Sequence, residues 1–113
     1  MKRKLFQRKT SPAERIRARV MRRRRAADAN AKRRARLYTE QIEDVSIDEV
    51  RRRDVQTCHL CGRWVSVHEQ SLDHVTPLSK GGAHTYDNIK LAHAACNSRK
   101  RDRLMDEINL LEF

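Results

Sequence analysis

Two sets of residues in this chain have the types and spacing to do chemistry. The first is Cys58-x-x-Cys61 together with His93-x-x-Cys96. One turn presents two thiols, and a second turn, about thirty residues on, offers an imidazole and a third thiol. Three sulfurs and one nitrogen make a closed tetrahedral set for Zn²⁺, the pattern of a structural site. Two alternatives stay open at this level: Cys96 as a merely buried thiol, and His59 as the nitrogen ligand. The matching x-x spacing favours His93. A redox role for the C-x-x-C lacks the βαβ surroundings such a motif needs.

The second set is Asp73-His74 with Asn97. A carboxylate beside a histidine on a strand can divide labour: Asp73 binds Mg²⁺, and His74 takes a proton from water. Neutral imidazole is the natural general base near pH 7. Asn97 directly follows Cys96, so a zinc site would hold its amide oxygen in place. An Asp-His dipeptide by itself is common, and an ordinary surface or core histidine is the competing reading.

Elements must position these groups, and they must do so with little core. The chain has 113 residues, 38% hydrophobic and 4% aromatic, enough for one small domain and an arm. Ser11-Pro12-Ala13-Glu14 is a capping box with proline at the first helical position, and it predicts a helix to about Tyr38. Ile16, Val20, Ala27, Ala31, Ala35 and Tyr38 form a thin stripe on it. Residues 40–44 are an acidic hinge that either screens the arm or folds against it. Ser46-Ile47-Asp48-Glu49 predicts a second capping box and a helix to about Arg53. Trp64-Val65 starts an expected strand after the Gly62 turn. Leu72 to Leu78 is a second expected strand, ended by Pro77. Residues 79–88 form a loop, Ile89 to Ala92 is short and apolar, and Ala94 to Arg103 is an expected helix. Leu104, Ile108 and Leu111 suggest a C-terminal helical turn or two packed on the core.

Charge is distributed unevenly. The net charge is +11, and residues 1–37 hold sixteen Lys/Arg against Glu14 and Asp28. Residues 38–50 hold five acids and no base, and residues 51–113 hold ten bases and eight acids. The excess therefore sits in an N-terminal arm suited to a polyanion, with Arg22, Arg23, Arg24, Arg25, Arg33 and Arg34 as expected phosphate contacts. A solvated charged tail is the plain alternative, but so dense a run of like charge destabilises a free helix. Arg99 and Lys100, beside Asn97, are expected phosphate clamps. No apolar run reaches membrane-span length, so no membrane partner is expected. Reduced cysteines in a metal pattern point to a reducing cytoplasm.

The order D-H-x-x-P-L-S-K-G-G, then D-N-I-x-L, then C-N-x-x-K-like residues, resembles the HNH endonucleases over about Ser46 to Arg103. The resemblance implies an α+β chain: a small ββα-metal domain with a zinc knuckle over residues 46–113, preceded by a long basic helix in a DNA-binding arm, residues 1–45. It implies that His74 is the general base, that Asp73 and Asn97 hold a catalytic Mg²⁺ or Mn²⁺, and that Asn88 braces the loop and orients the base. Cys58, Cys61, His93 and Cys96 then hold structural Zn²⁺. The chain departs from the family in having Asn at the third motif position and His93-x-x-Cys96 where a C-x-x-C is usual. The interval from Asn88 fits Asn97, not His93, as the third catalytic position. The implied activity is hydrolysis of DNA phosphodiesters, by nicking or double-strand cutting, with low sequence specificity. Two other readings compete: a zinc-stapled nucleic-acid-binding module without catalysis, and a nuclease subunit of a phage packaging or restriction complex. Phage packaging proteins or a second copy of the chain are the protein partners left open.

Overall fold

The computed structural model describes residues 9–113. Met1 to Arg8, the first part of the basic arm, lie outside the described residues. Helix α1 spans Pro12–Ala35, α2 Ile47–Arg53 and α3 Ala94–Lys100. Strands β1, Gln70–His74, and β2, Ile89–His93, pair antiparallel with His74 opposite Ile89 and Gln70 opposite His93.

The start of α1 is closed by its own sequence. Glu14 N–H donates to Ser11 Oγ at 3.1 Å, and Ser11 N–H donates to the Glu14 carboxylate at 3.2 Å. The expected stripe on this helix is mostly not buried: Ile16 is 61% and Val20 38% exposed, and only Ala35 is fully covered. The helix ends at Ala35, with turns to Tyr38. What ties it down is largely polar. Arg24 pairs with Asp48 at 3.2 Å, Lys32 pairs with Asp44, and Ile47 N–H donates to Asp28 Oδ1 at 3.2 Å. The acidic segment thus folds against the arm. Asp28 also does at the start of α2 what Ser46 was expected to do. The Ser46 side chain makes no cap, while its N–H donates to the Tyr86 hydroxyl at 3.0 Å.

The core lies between α2, the knuckle at residues 58–61, the hairpin and α3. Val45, Val50, Cys58, Leu60, Val65, Ile89, Leu91, Ala92 and Cys96 are buried in it. Three expectations about elements need correction. No strand starts at Trp64, which makes one bridge to Thr57 and is 64% exposed. Gly62, at φ +76°, closes the knuckle too tightly for a ladder to extend. The second expected strand is shorter and earlier, ending at His74, because its partner strand begins only at Ile89. The C-terminal stripe does not form. Leu104 and Ile108 are extended, one 3-10 turn lies between them and a second follows at Leu110–Glu112, and Leu111 is 93% exposed. Of the stripe, Ile108 does pack on the core, alongside Met105 and Phe113.

Gly82 is required by close packing. A Cβ there would lie 1.8 Å from the Thr76 carbonyl oxygen and 2.9 Å from Asn88 Nδ2. The loop between the strands therefore folds down onto Asn88, which brings the end of β1 into a fixed position.

Candidate functional site

The thiol-imidazole set converges. Donor atoms of Cys58, Cys61, His93 and Cys96 all lie within 4.8 Å of one another. The His93 Nδ1 atom is 3.2 Å from Cys61 Sγ and 3.9 Å from Cys96 Sγ. Its other nitrogen, Nε2, is 2.9 Å from the Trp64 carbonyl. A carbonyl only accepts, so Nε2 carries the proton and Nδ1 is bare toward the sulfurs, as a metal-ligating imidazole must be. Backbone N–H groups of Cys61 and His93 point at Cys58 Sγ, at 3.5 and 3.4 Å. For Cys61, burial opposes ionisation, but hydrogen bonds from Arg63 and the neighbouring thiols win and pull it down to about 6. Burial and the negative charge of Cys58 and Cys61 push Cys96 up to about 12. Three adjacent thiols cannot all ionise unless a cation joins them. The group is a Cys₃His set compatible with zinc, and His93, not His59, supplies the nitrogen.

His59 serves elsewhere. Its Nε2–H donates to Asp73 Oδ2 at 2.7 Å. The pleat of β1 turns Asp73 inward, where it is 2% exposed, and its Oδ1 accepts from Lys100 Nζ at 3.2 Å. Lys100, expected as a phosphate clamp, is instead fully buried, and its ammonium also donates to the His74 carbonyl at 3.1 Å. A buried ammonium is kept charged only by such partners. The signal for this was in the sequence: Lys100 is four residues after Cys96, on the inward face of α3. A carboxylate offers about four lone-pair directions. His59 and Lys100 use two, so Asp73 still has the capacity to ligate a hard cation.

Asn97 Nδ2 donates to Ser71 Oγ at 2.9 Å and to the Leu72 carbonyl at 3.2 Å. This fixes the amide against β1 and leaves Oδ1 as its free acceptor. Asp73, His74 and Asn97 line one cleft of about 260 Å³ with Tyr38, Ser79 and Arg101. Residues Ala31, Arg34 and Tyr38, on or just after α1, line an adjoining cleft with His74 and Asn97, so the arm passes over the same face. Asn88 holds the loop: Oδ1 accepts from Thr76 N–H at 2.9 Å, and Nδ2 donates to the Thr76 and Ala83 carbonyls, both at 2.9 Å. His74 Nε2 lies 3.0 Å from His84 Nδ1. Burial, the adjacent His84 and the positive charge of Lys100 and Arg34 pull His74 down to about 4, against the opposing pull of Asp73. It is neutral, with a proton-accepting nitrogen, at ordinary pH.

On α1, Arg22, Arg23, Arg25, Arg33 and Arg34 are exposed, whereas Arg24 is half-buried by its pair with Asp48. Arg99 is exposed on α3. Sequence reasoning missed His59, His84 and Arg101 at this site. Arg101 ends α3 at φ +56°, ψ −136°, a backbone conformation natural to glycine.

Residues 58–103 match the HNH endonuclease family. The HNH match covers both zinc pairs, the hairpin and α3, and the fold around it, a two-stranded hairpin followed by a helix beside a Cys₃His knuckle, fits the α+β ββα-metal architecture. It points to a nuclease or nucleic-acid-related function, with DNA as the implied substrate. No curated protein matches the chain. Among the described residues, no helix is long and apolar enough to cross a membrane.

Proposed function

We propose that the chain is a divalent-metal-dependent HNH endonuclease that hydrolyses DNA phosphodiesters, with His74 as the general base. The observation that carries this reading is the shared cleft of His74, Asp73 and Asn97 at the end of the hairpin. His74 is neutral there and accepts a proton from a water molecule directed at phosphorus. Asp73 and Asn97 are the residues to hold a Mg²⁺ or Mn²⁺ ion, which when bound supplies charge stabilisation at the scissile phosphate. Asn88 keeps the loop, and with it the end of β1, in position. Arg101, at the cleft rim, takes the phosphate-clamping role once expected of Lys100. The Cys₃His set, with zinc, serves the fold.

Residues 1–45 act as a DNA-binding arm on the nuclease unit of residues 46–113. Its exposed arginines neutralise phosphates, so affinity is largely independent of sequence and falls with salt. Whether the protein works alone, as a homodimer or with phage packaging proteins is separated by assaying it with and without such partners.

The test is nicking of supercoiled plasmid in Mg²⁺ or Mn²⁺ by the wild type and His74→Ala. The variant is expected to keep DNA binding in a gel-shift assay and to lose about 10²- to 10⁴-fold in cleavage rate. Equal nicking by the two proteins sinks the assignment of the base. Binding without cleavage by the wild type, in either metal, favours the non-catalytic module.

A further inference from the structure

His84 is a buried histidine that neither the core packing nor the reaction above uses. It is 0% exposed. Its backbone is clamped on both sides by the acidic segment: His84 N–H donates to the Gln41 carbonyl at 2.9 Å, and Glu43 N–H donates to the His84 carbonyl at 2.8 Å. The ring therefore has little freedom. It sits 5.2 Å, centroid to centroid, from the ring of His74, tilted by 39°. Its Nδ1 is 3.0 Å from His74 Nε2. Its Nε2, among the described residues, is the one buried side-chain polar atom without a hydrogen-bond partner.

Two neutral imidazoles meeting nitrogen to nitrogen share a single proton between the facing atoms, so only two arrangements exist. In one, His74 Nε2–H donates to His84 Nδ1. His74 then has a bare Nδ1, and His84 carries its proton on the orphaned Nε2. In the other, His84 Nδ1–H donates to His74 Nε2, and His74 carries its proton on Nδ1, where a base needs a lone pair. Only the first arrangement gives a base on the side of the ring away from His84. It also survives the reaction unchanged: when His74 Nδ1 gains a proton, Nε2–H goes on donating to the same acceptor. The second needs a proton moved off Nδ1 before any water can be activated.

We propose that His84 is a positioning residue for His74, accepting a hydrogen bond from Nε2–H and so holding the catalytic imidazole in the tautomer whose bare atom is Nδ1. The proposal rests on the reading of His74 as the base. It places the His84 proton on the orphaned Nε2. A buried N–H without an acceptor is unfavourable, and it persists where the same ring satisfies a functional requirement on its other side. The clamp from Gln41 and Glu43 makes the acceptor rigid, and a rigid acceptor fixes the plane of the His74 ring as well as its tautomer.

The experiment measures the tautomer directly. As-purified protein labelled with ¹⁵N in its histidines is examined by long-range ¹H–¹⁵N correlation, with His74→Ala and His84→Phe used to assign the two rings. The wild type is expected to show His74 protonated on Nε2 and bare on Nδ1. His84→Phe, which keeps the ring shape without the acceptor, is expected to mix the two His74 tautomers and lower plasmid-nicking kcat about tenfold, with DNA affinity unchanged. His84→Asn, whose amide oxygen can replace Nδ1 as acceptor, is expected to restore most of both. A wild-type His74 protonated on Nδ1 overturns the proposal, as does a His84→Phe protein with unchanged tautomer and rate. If His84→Phe does not fold, the wild-type spectrum and the Asn variant decide alone. Failure of the base assignment shows separately, as unchanged nicking by His74→Ala, whatever tautomer the spectrum reports.

Discussion

The two chemical centres of this chain stand side by side and are built on opposite plans. In the Cys₃His knuckle, four donors converge within 4.8 Å, and every nearby hydrogen bond prepares them for a cation. In the cleft below it, each group already has a protein partner. Asp73 is shared by His59 and Lys100, the Asn97 amide is held by β1, and His74 meets His84. The first arrangement is incomplete without its ion, whereas the second holds together without one. A fold with so small a core can draw stability from a bound metal, while a cleft with the proposed hydrolytic role would have to admit phosphate and water and be stable when empty. Cys96 and Asn97 join the two plans, since adjacent residues of α3 belong one to each.

The sharpest way to break this contrast is to damage each centre and ask what is lost. Cys58→Ser is expected to lose the fold outright, since structural zinc in comparable small sites carries about 10–16 kcal/mol of apparent binding free energy. Loss of far-UV circular dichroism together with loss of zinc by elemental analysis is the expected result. A folded, zinc-free, active variant contradicts the contrast.

Asp73→Ala tests the other centre, where stability and chemistry overlap in one residue. Removing the carboxylate leaves the Lys100 ammonium buried without its counter-charge, expected to cost about 3–5 kcal/mol in urea titration. The double variant Asp73→Ala/Lys100→Met is expected to regain most of that stability and none of the cleavage. If stability does not return, the pair is not what holds the cleft together.

Arg101→Gly should separate the two properties in the opposite sense. Glycine accepts φ +56° and relieves strain of about 1–3 kcal/mol, so Tm is expected to rise by a few degrees. Cleavage is expected to fall about tenfold as the proposed phosphate contact goes. A variant that loses both stability and activity shows that Arg101 is structural.

The contrast also has a signature with pH. His74 binds a proton near 6.5 when unfolded and only near about 4 when folded. Below 6.5 the unfolded chain takes up the proton and the folded one does not, so stability falls as pH drops through that window. Above it, this residue makes no difference. Urea midpoints from pH 7 to 4 should therefore decline less steeply in His74→Ala than in the wild type. The acid limb of the cleavage profile should also lie below the ordinary histidine value.

The contrast explains what could be read without coordinates. The knuckle was legible because its ligands come as two pairs with the same short spacing, and such spacing is a local property of a turn. The helix starts at Ser11 and Ser46 and the inward hairpin around Leu72 and Leu91 were legible for the same reason. The partners of the cleft were not. His59 to Asp73, Lys100 to Asp73 and His84 to His74 join residues 14, 27 and 10 positions apart, and no local period announces them. Spacing favoured His93 over His59 as the zinc ligand, but only the fold shows what His59 does instead, because its partner Asp73 is remote in the chain. The C-terminal stripe misled because its spacing matched a helix that the backbone at Arg101 prevents from continuing.

The carboxylates that hold the arm have one further consequence. Asp48 receives guanidinium groups from Arg24 at 3.2 Å and Arg51 at 2.5 Å, much as a phosphate oxygen would. Lys32 is neutralised in the same way by Asp44. When such a cation leaves its acid for a nucleic acid backbone, it exchanges one anion for another and sets free no condensed salt ions of its own from the protein side. The freed aspartate, moreover, is left facing the incoming polyanion. If the arm binds DNA as proposed, the chain contains its own competitor for it, tethered and always present. Its grip on phosphate should then be weaker, and more readily reversed, than a count of arginines suggests.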